Sequence, residues 1–240
     1  LILLFLILLF ISKNMSQINE PGKEPENQLS DVDITDEDTY VTQAYNIIAI
    51  NFNETRPNPW DWQKKFMDEH IKDGFYYDIG CGGGRNLKEG QSIGVDSCPE
   101  FVKIVQQKGL DCELADMTNL PFEDETADAV MCIAAFHHLS TVERRQTALK
   151  EMYRVLRPTG KMMISVWSQK QPPTRKDKEP GNSLVPWRTK QKIKLCDRLY
   201  YIFKRDELEN LFQEASFKII SYEWDYGNEV YILQKPEISD

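Results

Sequence analysis

The chain has 240 residues, with 41% hydrophobic and 28% charged side chains and a formal net charge of −9. These values are typical of a soluble globular protein of one domain, or one domain with an appendage, whose core needs no disulfide staples. The five cysteines stand far apart without a CxxC pair, which argues against a structural zinc site and favours free thiols in a reducing compartment. We therefore expect no bound metal and a cytoplasmic location, with the nucleus as a second one.

The first eleven residues are all apolar, about half of what a membrane-spanning helix needs. No basic segment precedes them and no small-residue cleavage site follows, so they make a poor signal peptide. Because Met15 follows shortly, we interpret residues 1–14 as upstream translation, with an apolar leader or membrane anchor as the alternative. Residues 15–38 are predicted to be an acidic, disordered tail that carries most of the net negative charge. The acidity is therefore only a weak argument against a nucleic-acid partner, and we expect no membrane partner.

The pattern from residue 39 to 240 predicts one α/β domain. Apolar residues at helical spacing predict helices at about 40–51, 59–72, 98–109, 141–156 and 206–215. Short apolar runs predict strands at 75–79, 92–96, 111–116, 127–135, 161–167, 217–224 and 228–235, with a short helix between the first two. This alternation indicates a mostly parallel, seven-stranded sheet with helices on both faces. The last two strands are close enough for a C-terminal antiparallel hairpin.

Residues 168–205 form a basic insertion in this domain. Its prolines predict little regular structure at its start. The segment holds eleven basic side chains against three acidic ones, interleaved with Trp187, Tyr200 and Tyr201. A solvated loop could have this composition, but a charge excess of this size favours a phosphate-rich partner.

A glycine loop follows the first predicted strand, at the sheet edge where open α/β folds bind ligands. Gly80, Gly82 and Gly84 let the backbone turn sharply and approach a ligand closely. Their GxGxG spacing differs from the GxGxxG of pyrophosphate-binding folds. Asp96 ends the second strand, where a carboxylate can accept hydrogen bonds from both ribose hydroxyls, and Asp116 ends the third, where it could meet an adenine amine. Together the three strand ends predict a nucleoside cofactor.

The segment DIGCGGG, from Asp78 to Gly84, with an acidic residue ending the next strand, resembles the first motif of class I S-adenosylmethionine-dependent methyltransferases. The alternatives are a dinucleotide oxidoreductase and an inert Rossmann-like domain. The resemblance implies a Rossmann-like fold and S-adenosylmethionine as cofactor. It implies the following cofactor-binding residues: Tyr45, Asp78, Gly80, Gly82, Gly84, Asp96, Asp116, Met117 and Ala134.

Other segments are similar to a narrower family, the eukaryotic tRNA wobble-uridine carboxymethyl methyltransferases, and to the methyltransferase domain of the AlkB-homologue tRNA hydroxylase fusion. They are AYNIIAINFNETRPNPW, HHLSTVERR, SLVPW and the LYYIF block, and the likeness covers residues 40–236. The loop GCGGGRN departs from the family, which often has asparagine and lysine around the third glycine, and residues 169–181 are shorter than in the fusion. The resemblance implies conversion of 5-carboxymethyluridine in tRNA to its methyl ester, and a small zinc-binding activator protein as partner. A small-molecule methyltransferase and a catalytically silent scaffold remain alternatives.

Such a reaction needs positioning residues rather than a base, because a carboxylate is ionised at neutral pH. Arg56 and Arg145 are candidate clamps, since guanidinium matches a carboxylate bidentately, although Arg145 could lie on a solvated helix face. One of His137 and His138 is expected to face the uridine and the other to pack in the fold. Trp167 could stack on a flipped base or belong to the core.

Overall fold

The computed structural model describes residues 33–237, and the described residues from Ile34 onward form one compact unit. The predictions for residues 1–14 and for residues 15–32 lie outside the described residues. No helix of the described part is long and apolar enough to cross a membrane.

Among residues 33–237, five helices and one short turn surround the sheet. Helix α1 begins with a π-helical stretch, Asp38–Gln43, and continues as Ala44–Glu54. Helix α2 comprises Asp61–Phe66 and the π-helical Met67–Ile71, α3 is Pro99–Gln107, α4 is Val142–Val155 and α5 is Arg205–Glu214. A 3₁₀ turn spans Phe136–His138. The start of α3 has a proline in its first turn and an acidic residue beside it, both of which suit a helix N-terminus.

Seven strands form the main sheet, in the order β3-β2-β1-β4-β5-β9-β8. They are β1 Tyr76–Ile79, β2 Ser92–Asp96, β3 Cys112–Leu114, β4 Ala127–Ile133, β5 Leu156–Trp167, β8 Lys218–Asp225 and β9 Asn228–Gln234. Strands β1 to β5 pair in parallel, whereas β9 runs antiparallel to β5 and to β8. The predicted mostly parallel sheet and its C-terminal hairpin are confirmed.

Helices cover both faces of the sheet, as predicted. Successive side chains of a strand point to opposite faces, and in β4 Val130 packs with residues of α4 and α5 while Met131 packs with residues of α2. All four residues of β1 are buried. A strand buried on both sides needs a continuous apolar run, and this explains why the short runs in the sequence located the strands well.

One local prediction was wrong, and one element was not predicted. Residues 80–91 form turns and no helix, because Gly80, Gly82 and Gly84 all adopt positive φ angles. The basic insertion contains a two-stranded antiparallel hairpin, β6 Gly181–Arg188 and β7 Lys194–Ile202. This hairpin packs on α1, where the Cys196 thiol contacts the carbonyl of Ala44 at 3.7 Å.

Candidate active site

A cavity of about 460 Å³ opens at the carboxyl edge of the sheet, between the glycine loop and α1. Nine of the residues predicted from the sequence line it: Tyr45, Arg56, Gly80, Gly82, Asp96, Asp116, Met117, Ala134 and His138. The others lie outside its lining: Asp78, Gly84, His137, Arg145 and Trp167. Among residues 33–237, no group of three or more histidine, cysteine or acidic side chains is placed to hold a metal ion.

The glycine loop forms one wall of the cavity with bare backbone. Gly80 has φ = 72°, and a Cβ added to it would lie 2.3 Å from the Cβ of Ala135 at the end of β4. A Cβ on Gly83 would lie 2.0 Å from Oδ1 of Asn53 on α1. Gly80 therefore excludes a side chain, whereas a side chain at Gly83 would require Asn53 to move, a contact that the GxGxG spacing did not identify.

Asp96 lies at the centre of the cavity floor. Its Oδ2 accepts a hydrogen bond from the Gly82 N–H at 2.8 Å, and its Oδ1 accepts one from the Cys98 N–H at 2.9 Å. Burial raises the pKa of this carboxyl to about 6. Each oxygen has a second lone pair available. The fixed carboxylate beside bare backbone therefore fits the two adjacent hydroxyls of a ribose.

Asp116, at the end of β3, is already engaged on both oxygens. Oδ1 accepts from the N–H and hydroxyl of Thr118, at 2.8 Å and 2.6 Å, and Oδ2 accepts from Arg144 Nη2 at 2.6 Å. Burial acts in the opposite direction, but these hydrogen bonds lower the pKa of Asp116. Its role toward an adenine amine stays a prediction, and Arg144 joins the site without having been predicted.

Residues 35–38, here called the N-terminal strap, close one side of the cavity. Glu37 accepts hydrogen bonds from the N–H and hydroxyl of Ser140 at 2.6 Å and 2.7 Å, and from Arg144 Nε at 3.0 Å. The sequence placed this segment in the disordered tail, yet Glu37 bonds to residues more than a hundred positions away. The folded part of the chain therefore begins before residue 39.

The two histidines differ in position but share a neutral state. His138 lines the cavity; its Nδ1 donates to the Leu199 carbonyl at 2.6 Å, and its Nε2 accepts from the Tyr45 hydroxyl at 2.9 Å. Burial lowers the pKa of His138 to about 4. His137 is fully buried next to it, and its Nδ1 accepts a hydrogen bond from the backbone N–H of Trp167 at 3.1 Å. Burial lowers the pKa of His137 well below the ordinary value. Both rings are therefore uncharged at neutral pH, and pKa values this low make them weak bases.

Arg198 on β7 is the main residue that the sequence did not single out, since it was counted among the basic side chains expected to face a phosphate-rich partner. Its side chain is 5% exposed, and Nη1 donates to the Tyr200 hydroxyl at 2.8 Å and lies 3.5 Å from that of Tyr45. Its guanidinium lies 4.9 Å from the ring centroid of Trp187, and its Nε has no partner. No described carboxylate forms an ion pair with it. Alternating Cys196, Arg198 and Tyr200 were the available signal, because they share one face of a strand.

Aromatic rings and cations lie around Arg198, and of those named here only Phe52 and Arg56 belong to the cavity lining. Trp167 stacks on Tyr200 at 4.1 Å between centroids, and Lys178 Nζ lies 4.7 Å from the Trp167 ring. The guanidinium of Arg56 lies 4.1 Å from the ring of Phe52. These groups suit a planar, negatively charged ligand.

Arg145 lies away from the opening. Its guanidinium sits 3.7 Å from the centroid of Tyr201, and its Nη1 donates to the Leu139 carbonyl at 3.0 Å. The side chain is buried rather than on a solvated helix face. Its contacts are those of a packed structural residue, and nothing in them brings it to the cavity.

Several known proteins are similar to this chain in sequence over most of its length. A family model described as a methyltransferase domain matches residues 77–164. An Encephalitozoon cuniculi protein whose name calls it a methyltransferase is 30% identical over 206 residues, 83% of this chain and 97% of that one. The Schizosaccharomyces pombe tRNA (carboxymethyluridine(34)-5-O)-methyltransferase is 29% identical over 228 residues, 85% of this chain and 100% of that one. The 30% identity to the Encephalitozoon cuniculi protein shows that the chain belongs to the methyltransferase family.

Other similarities are partial or concern the fold. The mouse protein named "Probable tRNA methyltransferase 9B" is 37% identical over 166 residues, 68% of this chain, which spans only 36% of that protein's length. A Haloferax volcanii methyltransferase, solved in complex with the Trm112 methyltransferase activator, superposes with a TM-score of 0.58 at 15% identity, over 82% of this chain and 99% of that one. This last similarity shows the class I methyltransferase fold.

Proposed function

We propose that the chain methylates the carboxyl group of 5-carboxymethyluridine at the wobble position of tRNA, with S-adenosylmethionine as cofactor. The observation that carries this proposal is Arg198, which lies outside the cavity lining but whose Nη1 is 3.5 Å from the hydroxyl of Tyr45 in that lining. A buried guanidinium without a counter-ion costs several kcal/mol, and the carboxylate of the substrate would supply the missing partner through charge-assisted hydrogen bonds. The named relatives of the chain support the same substrate.

The residues that would hold the cofactor follow from the cavity. Asp96 would accept hydrogen bonds from the ribose hydroxyls, the backbone of the glycine loop would lie against the ligand, and Asp116 and Met117 would flank the adenine end. When bound, S-adenosylmethionine supplies an electrophilic methyl group on a sulfonium centre. The lack of side chains at Gly80 and Gly83 lets the loop pack closely on Ala135 and Asn53, which line the same cavity.

The chain's own residues then orient the substrate and exclude water. A carboxyl group has a pKa near 4, so it is ionised at neutral pH and needs no base. Arg198 would hold this carboxylate, with Arg56 as a second guanidinium at the mouth, while Trp167 would offer a stacking surface next to the uridine. Orientation in a site without water can contribute several kcal/mol to the rate.

The test is methyl-ester formation on tRNA that carries 5-carboxymethyluridine, measured by nucleoside mass spectrometry. We expect Arg198→Ala to lose about 1.5–3 kcal/mol of transition-state stabilisation, roughly tenfold to a hundredfold in kcat/KM. Arg198→Lys keeps the charge but loses the planar fork and should also be impaired.

Exposed Arg205, which pairs with Glu209 at 2.7 Å, provides the matched control, and Arg205→Ala should retain the wild-type rate. Full activity of a folded Arg198→Ala variant would contradict the proposed role. Equal methylation of tRNA with an unmodified wobble uridine would contradict the substrate.

We further propose a heterodimer with a small zinc-binding activator protein. The edge strand β3 leaves Leu114 57% exposed, and an exposed apolar side chain on an open edge suits pairing with another chain. The Haloferax volcanii methyltransferase of the same fold was solved with such an activator. Co-expression should increase solubility and activity, whereas a monodisperse, fully active isolated chain would contradict the pairing.

All five cysteines are free, which supports a cytoplasmic or nuclear location.

A further inference from the structure

Arg85 follows the glycine loop directly and lines the same cavity. Its guanidinium lies 4.2 Å from the ring centroid of Trp60. Trp60 in turn stacks on Trp62 at 5.1 Å, and the Trp62 indole N–H donates to Asp225 at 2.9 Å. Arg85 makes no hydrogen bond or ion pair with any residue of the described part. The stacking therefore holds the guanidinium in place and leaves its N–H donors available.

A second cation stands on the same side of the cavity without an acidic partner. Arg56 is half-buried, and its one side-chain hydrogen bond goes to the hydroxyl of the adjacent Thr55 at 3.0 Å. Burial lowers the pKa of Arg85, and the positive charge of Arg56 acts in the same direction. Asp78 is the nearby acid, but it is buried, accepts from Asn86, and has its own pKa raised to about 7 by burial. This wall of the cavity therefore holds positive charge that the described residues do not compensate.

We propose that Arg85 binds an oxyanion at this wall of the cavity. The proposal rests on the proposed function, in which two groups have that chemistry: the α-carboxylate of the cofactor and a phosphate of the RNA beside the target uridine. If the ribose lies on Asp96 at the end of β2 and the adenine lies toward β3, the opposite end of the cofactor points toward β1. Arg85 follows β1, so the cofactor carboxylate is the nearer source.

The experiment measures binding rather than turnover. Arg85→Ala is titrated calorimetrically with S-adenosylhomocysteine and with 5′-methylthioadenosine, which lacks the amino-acid part. Binding of an anticodon stem-loop RNA is then measured across a series of salt concentrations. Lys88→Ala, an exposed residue three positions further on, is the matched control.

A loss of tenfold or more for S-adenosylhomocysteine, with unchanged 5′-methylthioadenosine affinity, would identify the cofactor carboxylate. Unchanged cofactor affinity, with a salt slope for RNA reduced by about one, would identify a phosphate. If both readouts equal those of Lys88→Ala, the site does not exist. Should Arg85→Ala fail to fold, Arg85→Lys provides the same comparison with a smaller expected loss, because it lacks the planar fork. Wild-type cofactor binding without methyl-ester formation on tRNA would refute the proposed function and leave the Arg85 site standing.

Discussion

Asp78 is buried beneath the glycine loop with little to stabilise its charge. Asn86 donates one hydrogen bond to Oδ2 at 3.2 Å, and Oδ1 has no partner. Burial raises its pKa to about 7. An acid near 3.9 in the unfolded chain thus holds its proton up to neutral pH in the folded protein. Between these values the folded state binds more protons, so this residue's contribution to stability falls as the pH rises.

Asp78→Asn should therefore stabilise the ligand-free protein at pH 8, with an increase in Tm of several degrees, because it removes the cost of the buried charge. The difference from wild type should shrink toward pH 5, where Asp78 is protonated. Thermal unfolding from pH 5 to 8 measures this, with exposed Asp73→Asn as control. A destabilisation that is the same at every pH would show that the Asn86 contact matters more than the charge.

A second prediction concerns Asp96 and the pH dependence of ligand affinity, which should rise with pH, whereas the contribution of Asp78 to stability falls. Its ionised form is the better acceptor for two ribose hydroxyls, and its pKa is raised to about 6 by burial. S-adenosylhomocysteine affinity of the wild type should fall as the pH drops through that value. Asp96→Ala should weaken binding at least tenfold, about 1.4 kcal/mol, without unfolding the chain. Calorimetry that gives the same affinity for a folded variant would remove Asp96 from the ribose site.

Most of the predicted residues that line the cavity share one property: they follow a strand that an apolar run identifies, whereas Tyr45 and Arg56 lie on or just after α1. Gly80, Asp96 and Asp116 follow three such runs, and parallel strands bring their carboxyl ends to one edge. Arg198 contacts Tyr45 of the cavity lining and Glu37 contacts Ser140, and these partners lie 153 and 103 positions away along the chain. A local pattern can indicate which face of a strand a residue occupies, but not which distant residue it contacts.

The β6–β7 hairpin also combines a feature that the sequence predicts with contacts that only the folded structure shows. Its basic composition is visible in the sequence, but its register pairs Val185 with Arg198 and Ser183 with Tyr200, which sets one face against α1. Lys194 is paired with Asp197 at 2.6 Å. Lys190 and Lys192 lie exposed at the turn and make no ion pair within the described chain. The basic stretch thus contains one buried cation, Arg198, next to Tyr45 of the cavity lining, and exposed cations at the tip of the hairpin.

The outward cations carry a prediction about RNA. Lys190→Ala combined with Lys192→Ala should reduce tRNA affinity and lower the slope of log affinity against log salt by up to about two, because two phosphate contacts are lost. Cofactor affinity should not change. Exposed Lys150 on α4 provides the control. A salt slope equal to that of Lys150→Ala would place the RNA contacts elsewhere on the molecule or on its partner.

At the scale of the whole molecule, the mostly parallel sheet and both helical layers could be predicted because buried parallel strands and amphipathic helices have strong local patterns. The N-terminal strap could not, because acidic residues in a polar segment look the same whether they are solvated or bound to Arg144. Glu37 links that strap to α4 and, through Arg144, to Asp116 at the end of β3.

Glu37→Gln should release S-adenosylhomocysteine several-fold faster, because it loses the ion pair that holds the strap across the cavity. The rate can be followed by stopped-flow fluorescence, with Glu54→Gln on the exposed part of α1 as control. A dissociation rate equal to that of the control would show that the strap does not retain the ligand.

Because of the strap, the residues that enclose the cavity begin earlier in the chain than the regular sequence pattern that marks the domain. A shortened protein that starts at residue 39, where the regular pattern begins, would retain all seven strands and the hydrophobic cores. It would nevertheless lack Glu37, leaving Arg144 with only Asp116 as an ion-pair partner among the described residues. Such a protein would fold but release its cofactor faster. An activity assay would then show a low rate that results from the missing Glu37 and not from a change in the residues that hold the substrate.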